Sequence, residues 1–181
     1  MCTLSEKLQS RRCLHLGSGK KYDPSAVNVD LVASTGPDIV HNLDVLPWPL
    51  PDNHFEKVLA FDVVEHLDNV VNAMEEVHRV CKNGASVNIS VPHFSCANAF
   101  TDITHRHYFS SSSFNYFTGD NEFGFYTDCH FIKRRVEIVF ARTLINKLIW
   151  RYARQWPMEY ERRWAWIFPA WFLSFELQVK K

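Results

Sequence analysis

Leu14-His15-Leu16-Gly17-Ser18-Gly19-Lys20 closes a short apolar run with two glycines one residue apart. Glycine has no Cβ and reaches positive φ freely, so such a turn lets the backbone come close to a ligand. A second run, Val27-Asn28-Val29-Asp30-Leu31, follows and ends in an acid. A carboxylate placed there can accept hydrogen bonds from both hydroxyls of a ribose. Alone, the glycine pair reads equally as an ordinary tight turn and the acid as a cap or solvated charge; together they point to a nucleotide. The dinucleotide fingerprint would need glycine at position 22, where Tyr22 stands, and an acid about 20 residues further on, whereas Asp30 lies much nearer. No G-x-x-x-x-G-K-[ST] loop is present for a triphosphate. Nicotinamide and ATP chemistry are thereby disfavoured.

Outward from this turn, short β-branched runs alternate with turn signals, the pattern of an α/β sheet. Strands are predicted at Cys13–Leu16, Val27–Leu31, Asp38–His41, Lys57–Phe61, Ser86–Val91, Phe131–Phe140 and Phe172–Val179. Leu67–Lys82 reads as a helix capped by Asp68, with Val70, Met74, Val77 and Cys81 at helical spacing and Gly84 as the stop. The alternation lapses between Pro92 and Cys129, a stretch rich in His, Phe and Ser. Thr143–Gln155 reads as a second helix, broken at Pro157. The length of 181 residues suits a single domain, 1–181, with a cofactor-binding half at 12–92 and a substrate-side cap with closing strands at 93–181.

Twenty basic and twenty acidic side chains cancel to a net charge of zero. They are unevenly placed: residues 1–132 hold 9 Lys+Arg, 16 Asp+Glu and all 9 His, while residues 133–181 hold 11 Lys+Arg, 4 Asp+Glu and 5 of the 6 Trp. A neutral total argues against a nucleic-acid partner, whose footprint would be a basic excess. A hydrophobic share of 46% excludes a disordered chain. No apolar run approaches the roughly 18 to 20 residues of a spanning helix, and the N-terminus lacks the apolar core of a secretory signal. The five cysteines are widely spaced with no C-x-x-C pair, which favours reduced thiols and a cytoplasmic location.

LHLGSGK (14–20), NVDL (28–31), HNLDVLPWPLPDNHFEKVLAFDVVEHL (41–67) and EEVHRVCKNGASVNISVP (75–92) stand in this order. In that order and spacing they resemble the class I S-adenosylmethionine-dependent methyltransferases. The third stretch is similar to that family's LPF-x-D-x-x-F-D-x-V segment running into EHL, the fourth to its E-x-x-R-V-L-K-P-G-G turn. The resemblance implies a three-layer α/β sandwich around a seven-stranded mixed sheet with the last strand antiparallel. It implies S-adenosylmethionine as cofactor and methyl transfer to a small-molecule acceptor, at O or N. It also implies Leu16, Gly17, Ser18 and Gly19 against the methionine part, Asp30 on the ribose, and Leu31 against the adenine. Asn42, Leu43 and Asp44 would meet the adenine edge through either polar side chain, with Phe61 and Asp62 at the amino-acid end. The segment between the first two strands is too short for the family's usual long helix.

A methyl group on a sulfonium needs no acid to help its leaving group depart, so orientation dominates, supplying about 7 to 11 kcal/mol. A base is needed only where the nucleophile carries a proton to lose. His93, just past the fifth strand, is the first candidate, with Asp102 and His105 beside it in sequence; a histidine that merely braces the loop is the alternative. His93, Asp102, His105 and His107 are metal-ligand types, but their spacing matches no compact metal motif, and no metal site is assigned. The basic, aromatic stretch 144–171 carries an apolar stripe at Leu144, Ile145, Leu148, Ile149, Tyr152 and Trp156. It can serve as core cover, as the wall of an acceptor pocket, or as a face for peripheral membrane contact. A cofactor-binding regulatory protein without turnover, or a membrane-surface module, is the alternative to an enzyme.

Overall fold

Seven strands form one sheet in the computed structural model, which describes residues 3–119, 127–141 and 143–181. They are β1 (Cys13–Leu16), β2 (Ala26–Asp30), β3 (Ile39–Val40), β4 (Phe55–Phe61), β5 (Cys81–Pro92), β6 (His130–Val139) and β7 (Phe172–Lys180). Their spatial order is β3-β2-β1-β4-β5-β7-β6. The first five run parallel, and β7 lies antiparallel between β5 and β6. Chain order reverses between β1 and β4, the switch point where open α/β sheets hold ligands beyond the carboxyl ends of their strands.

Register explains why one face carries the core. Val27, Leu14, Val58, Val87 and Leu177 are paired across successive strands, as are Val29, Leu16, Ala60, Ile89 and Phe175. All of them are buried. The next residues of each strand point to the other face, where Lys57, Ser174 and Glu176 are exposed.

Helix α1 (Leu4–Ser10) begins at a capping box in which the Glu6 carboxylate and Thr3 hydroxyl each accept the other residue's backbone N–H. It is tied to β2 through Asp38, whose buried carboxylate receives Lys7, Arg11 and the Asn28 backbone N–H. Helix α2 (Val70–Val80) lies against β5, and its buried side chains are Ala73, Met74, Glu76, Val77 and Val80. Its cap is Asn69, whose side chain accepts the Asn72 N–H at 3.1 Å, and not the predicted Asp68, whose carboxylate pairs with Arg106 and whose own N–H donates to the Asp44 carboxylate. The chain turns extended at Cys81 and enters β5 directly, so Gly84 (φ +83°) sits at an irregularity inside the strand and does not stop the helix.

No helix joins β1 to β2; the segment 17–25 crosses as a tight turn, so the layer on the second face is thin. Between β5 and β6 the described residues hold the single turn of α3 (Asn98–Thr101) and a 3-10 turn at Ser113–Phe117. Phe114 of that turn stacks on Phe109 and packs on Phe175 of β7.

Helix α4 (Leu144–Gln155) falls where a helix is predicted, with Thr143 outside it as the cap, and lies along β6. Pro157 opens a further helix, α5 (Pro157–Arg163), because proline fits a first helical turn where no N–H bond is needed. The stripe predicted on α4 is only partly buried. Ile149 and Tyr152 pack inward with Trp150 and Ala153, while Leu148 (72%) and Trp156 (48%) are exposed. The side chains of Leu144 and Ile145 lie outside the described residues. Among the described residues no helix is long and apolar enough to cross a membrane.

Candidate active site

The glycine turn and the acid are one structure. Gly17 (φ +60°) and Gly19 (φ +48°) both adopt left-handed backbone. A Cβ on Gly17 would meet Val63, just past β4, at 2.5 Å, whereas a Cβ on Gly19 would meet nothing within 4 Å. One glycine lets the turn pack on the neighbouring strand, and the other leaves open space above it. The Asp30 carboxylate clasps the turn: Oδ2 accepts the Gly19 N–H at 2.7 Å and Oδ1 the Val32 N–H at 2.8 Å. Each oxygen retains a lone pair for a further donor. Ser18 Oγ is buried with no partner, while Leu31, beside the clasp, is 64% exposed. Asn42 is exposed and its Oδ1 accepts the Asp44 N–H, Asp44 Oδ1 accepts the Asp68 N–H, and Leu43 is buried.

Phe61 ends β4, and Asp62 follows at φ +55°, its carboxylate 3.7 Å from Lys21 Nζ across the glycine turn. Asp62 also lines a cavity of about 530 Å³. The wall is built from Glu65 and His66 after β4, Pro92 at the end of β5, Phe172 at the start of β7, and α3 with its exit, through Asn98, Thr101, Asp102, Ile103 and His105. The segment after α3 is stitched to the turn after β4 by the Arg106 and His107 N–H groups, which donate to the Glu65 carbonyl at 2.8 and 3.3 Å.

Asp102 and His105 therefore reach the cavity, as a catalytic role requires. His93 does not: it is fully buried, Nδ1 accepts the Ser95 N–H at 3.1 Å, and Nε2 lies 3.3 Å from Glu161. Its backbone N–H is bound to Trp171. The placement past β5 is as expected, but the ring turns into the protein and braces the 93–95 turn against α5.

The residues that sequence reading passed over are Glu65 and His66. Glu65 is 1% exposed and neither carboxylate oxygen has a partner. Burial, helped by the charges of Asp62 and Asp102, pushes its carboxyl up to about 7. His66 is pulled below its ordinary value by burial and by His105. The signal available was the pair Glu65-His66 itself, directly after a strand end at the switch point.

Residues 9–89 match the family model described as "Methyltransferase domain". Residues 9–89 thus carry a methyltransferase domain, and the sheet built around it has the class I methyltransferase fold. No curated protein shows significant sequence similarity to it. Among solved structures the methyltransferase is similar to a SAM-dependent methyltransferase from Archaeoglobus fulgidus (TM-score 0.65, 15% identity, 93% of this chain and 86% of that one). It is also similar to an S-adenosylmethionine-dependent methyltransferase from Mesorhizobium loti (TM-score 0.59, 16% identity, 93% and 91%). A third likeness is to phosphoethanolamine N-methyltransferase 2 of Haemonchus contortus in complex with S-adenosyl-L-methionine (TM-score 0.57, 13% identity, 99% and 49%). At these identities the likeness establishes the fold. S-adenosyl-L-methionine is the ligand held by the last of these neighbours. The turn fits it: open space above Gly19, a buried carboxylate with acceptor capacity, an unpartnered Ser18 hydroxyl and an exposed Leu31 are what a bound nucleoside and its amino-acid tail would cover.

Proposed function

We propose that the methyltransferase delivers its methyl group to an oxygen or nitrogen of a small-molecule acceptor seated in the cavity beyond Asp62. The observation that carries this reading is one shared residue: Asp62 pairs with Lys21, two residues past Gly19, and also lines the cavity. In this reading Asp30 holds the ribose hydroxyls and Leu31 and Leu43 border the adenine, with Asn42 or Asp44 at its edge. Leu16, Gly17, Ser18, Gly19, Phe61 and Asp62 enclose the methionine part. The cofactor supplies a methyl carbon activated by a positive sulfonium. The protein's task is to align the acceptor's lone pair with that carbon and to exclude water, and alignment is worth about 7 to 11 kcal/mol.

Asp102 and His105 keep the catalytic role proposed for them, now joined by Glu65 and His66 on the same wall. His93 is assigned to positioning that wall through Ser95 and Glu161. One domain, 1–181, in the cytoplasm belongs to the same proposal; the described cysteines, Cys13, Cys81, Cys96 and Cys129, are all unpaired, which supports it.

The test is titration calorimetry with S-adenosylmethionine and S-adenosylhomocysteine, followed by transfer of a labelled methyl group to a panel of amines and hydroxyl compounds. Micromolar or tighter binding with turnover supports the reading. Tight binding with no methyl consumption across the panel would favour a regulatory protein. A membrane-surface role has its own observation: Trp156, Trp164, Trp166, Ile167 and Trp171 are exposed beside exposed Arg151, Arg154, Arg162 and Arg163. Co-sedimentation with anionic liposomes at low salt tests it.

A further inference from the structure

The cavity wall holds a set of donors that the spacing of its residues in the chain conceals. Resting on the acceptor cavity proposed above, we propose that Glu65, His66 and His105 bind a divalent first-row transition cation there, with open coordination positions facing an acceptor oxygen. One ligand atom from each residue lies within 4.8 Å of the others. Metal bonds of about 2.0 to 2.2 Å put neighbouring donors about 3 to 3.5 Å apart, so small side-chain rotations complete the site.

Three further observations point to a cation. Glu65 is a fully buried carboxylate aimed into the cavity with no partner on either oxygen, an arrangement that calls for a positive charge. His105 Nδ1 lies 3.0 Å from the Ala99 carbonyl, which can only accept, so Nδ1 carries the proton and Nε2 presents a lone pair. His66 Nδ1 lies 2.9 Å from Thr104 Oγ1, whose own proton goes to Asp102 Oδ1 at 2.7 Å; here too Nδ1 donates and Nε2 is left as ligand. Holding the far ring nitrogen in this way is how proteins orient metal-binding histidines. The main-chain bonds from Arg106 and His107 to the Glu65 carbonyl fix His105 against the other two.

Two imidazoles with one carboxylate suit zinc, iron, cobalt or manganese better than magnesium or calcium, which prefer all-oxygen shells. Three protein ligands beside an open cavity leave room for substrate. A hydroxyl bound there ionises more readily. In the transfer its O–H bond breaks with the proton passing to water, the O–CH3 bond forms, and the S–CH3 bond breaks with its electron pair remaining on sulfur.

The test uses the full chain stripped with a chelator and dialysed against Zn2+ or Co2+. Bound metal is counted by elemental analysis, cobalt is followed by its visible absorption, and S-adenosylhomocysteine binding is titrated in parallel. One metal per chain is expected, with cobalt bands of a nitrogen and oxygen shell. Glu65→Gln, His66→Ala and His105→Ala should each weaken metal binding at least tenfold, while exposed His130→Ala leaves it unchanged. S-adenosylhomocysteine should bind with or without the metal. Substoichiometric metal on the wild-type chain, or full retention by the His66→Ala/His105→Ala double variant, would overturn the proposal. Should the double variant fail to fold, the wild-type cobalt spectrum decides, since a site without imidazole refutes it. Stoichiometric metal without S-adenosylhomocysteine binding would instead overturn the reading of the cavity as a methyl-acceptor site, leaving the metal site intact.

Discussion

Gly17→Ala and Gly19→Ala place the same methyl group two residues apart in the same turn, and the structure assigns them different effects. Both positions have positive φ, +60° and +48°, which costs an L-residue about 1 to 2 kcal/mol. At Gly19 nothing lies within 4 Å of the added carbon, so that is the whole cost. At Gly17 the new Cβ lies 2.5 Å from Val63 Cγ2 and 2.6 Å from Val63 Cβ. Overpacking of this kind adds about 1 to 3 kcal/mol. For a chain of this size each kcal/mol lowers the melting temperature by about 2 to 4 °C. Calorimetric melting should therefore show Gly17→Ala falling about twice as far as Gly19→Ala. Shortening Val63 to alanine should not rescue it, because Val63 Cβ is itself in the clash. Affinity reverses the ranking relative to stability. The Gly19 methyl enters the space assigned to the cofactor, so S-adenosylhomocysteine should bind at least about tenfold more weakly, about 1.4 kcal/mol, to a protein that keeps more of its stability than Gly17→Ala does. Equal melting losses, or undiminished affinity in Gly19→Ala, would refute the account of the turn.

Asp30→Ala leaves the Gly19 and Val32 N–H groups without an acceptor and should cost about 1 to 3 kcal/mol in urea unfolding, together with at least a tenfold loss of cofactor affinity; unchanged affinity by calorimetry would count against the assigned ribose site. His93→Ala strands Ser95 and Glu161 around a buried gap and should lower stability by about 2 to 4 kcal/mol, with cofactor affinity retained and the pH profile of turnover unmoved; a shifted profile would return His93 to a base role. Burial works against the ionised Asp38, but hydrogen bonds from Lys7, Asn28 and Tyr22 together outweigh it and hold its carboxyl below the ordinary 3.8. A depressed carboxyl contributes stability above the unfolded pKa and loses it as pH falls through the folded one. Asp38→Asn should thus cost about 2 kcal/mol at pH 7, discounted because Lys7 and Arg11 are partly exposed, and the difference from wild type should shrink below pH 3.8.

The cofactor half was legible because its information is local. β1 occupies Cys13–Leu16 as the apolar run predicts, and Asp30 ends β2 opposite the glycine turn. Positive φ at Gly17 and Gly19 is a property of two residues and their neighbours. Features set by residues far along the chain were less legible for the same reason reversed. Asp68 and Asn69 are capping residue types one position apart, and the fold draws the Asp68 carboxylate to Arg106 and leaves Asn69 as the cap. Pro157 signals the end of one helix and equally the first turn of another, and only packing separates the two. His93 was placed on the right strand edge, but whether its ring faces cavity or protein depends on Ser95 and on Glu161, far along the chain. Glu65 and His66 lacked their third member until the Glu65 carbonyl captured the main chain of Arg106 and His107.

Net charge of zero conceals a division that bears on the acceptor. Among the described residues the cavity is lined by Asp62, Glu65 and Asp102 and by no lysine or arginine, whereas the exposed arginines of α4 and α5 lie outside its wall. A cavity of this charge, taken by itself, draws cations and repels anions, which suits an amine acceptor. A divalent cation held by Glu65, His66 and His105 offsets most of that negative charge, and an oxygen nucleophile that would otherwise be excluded becomes a ligand. The choice between nitrogen and oxygen thus turns on one measurable quantity, the metal content of the chain. Metal-free protein should prefer amines, with turnover rising as pH exceeds the amine's own pKa and frees its lone pair. Metal-loaded protein should prefer hydroxyl compounds, and chelation should abolish their methylation while leaving S-adenosylhomocysteine bound.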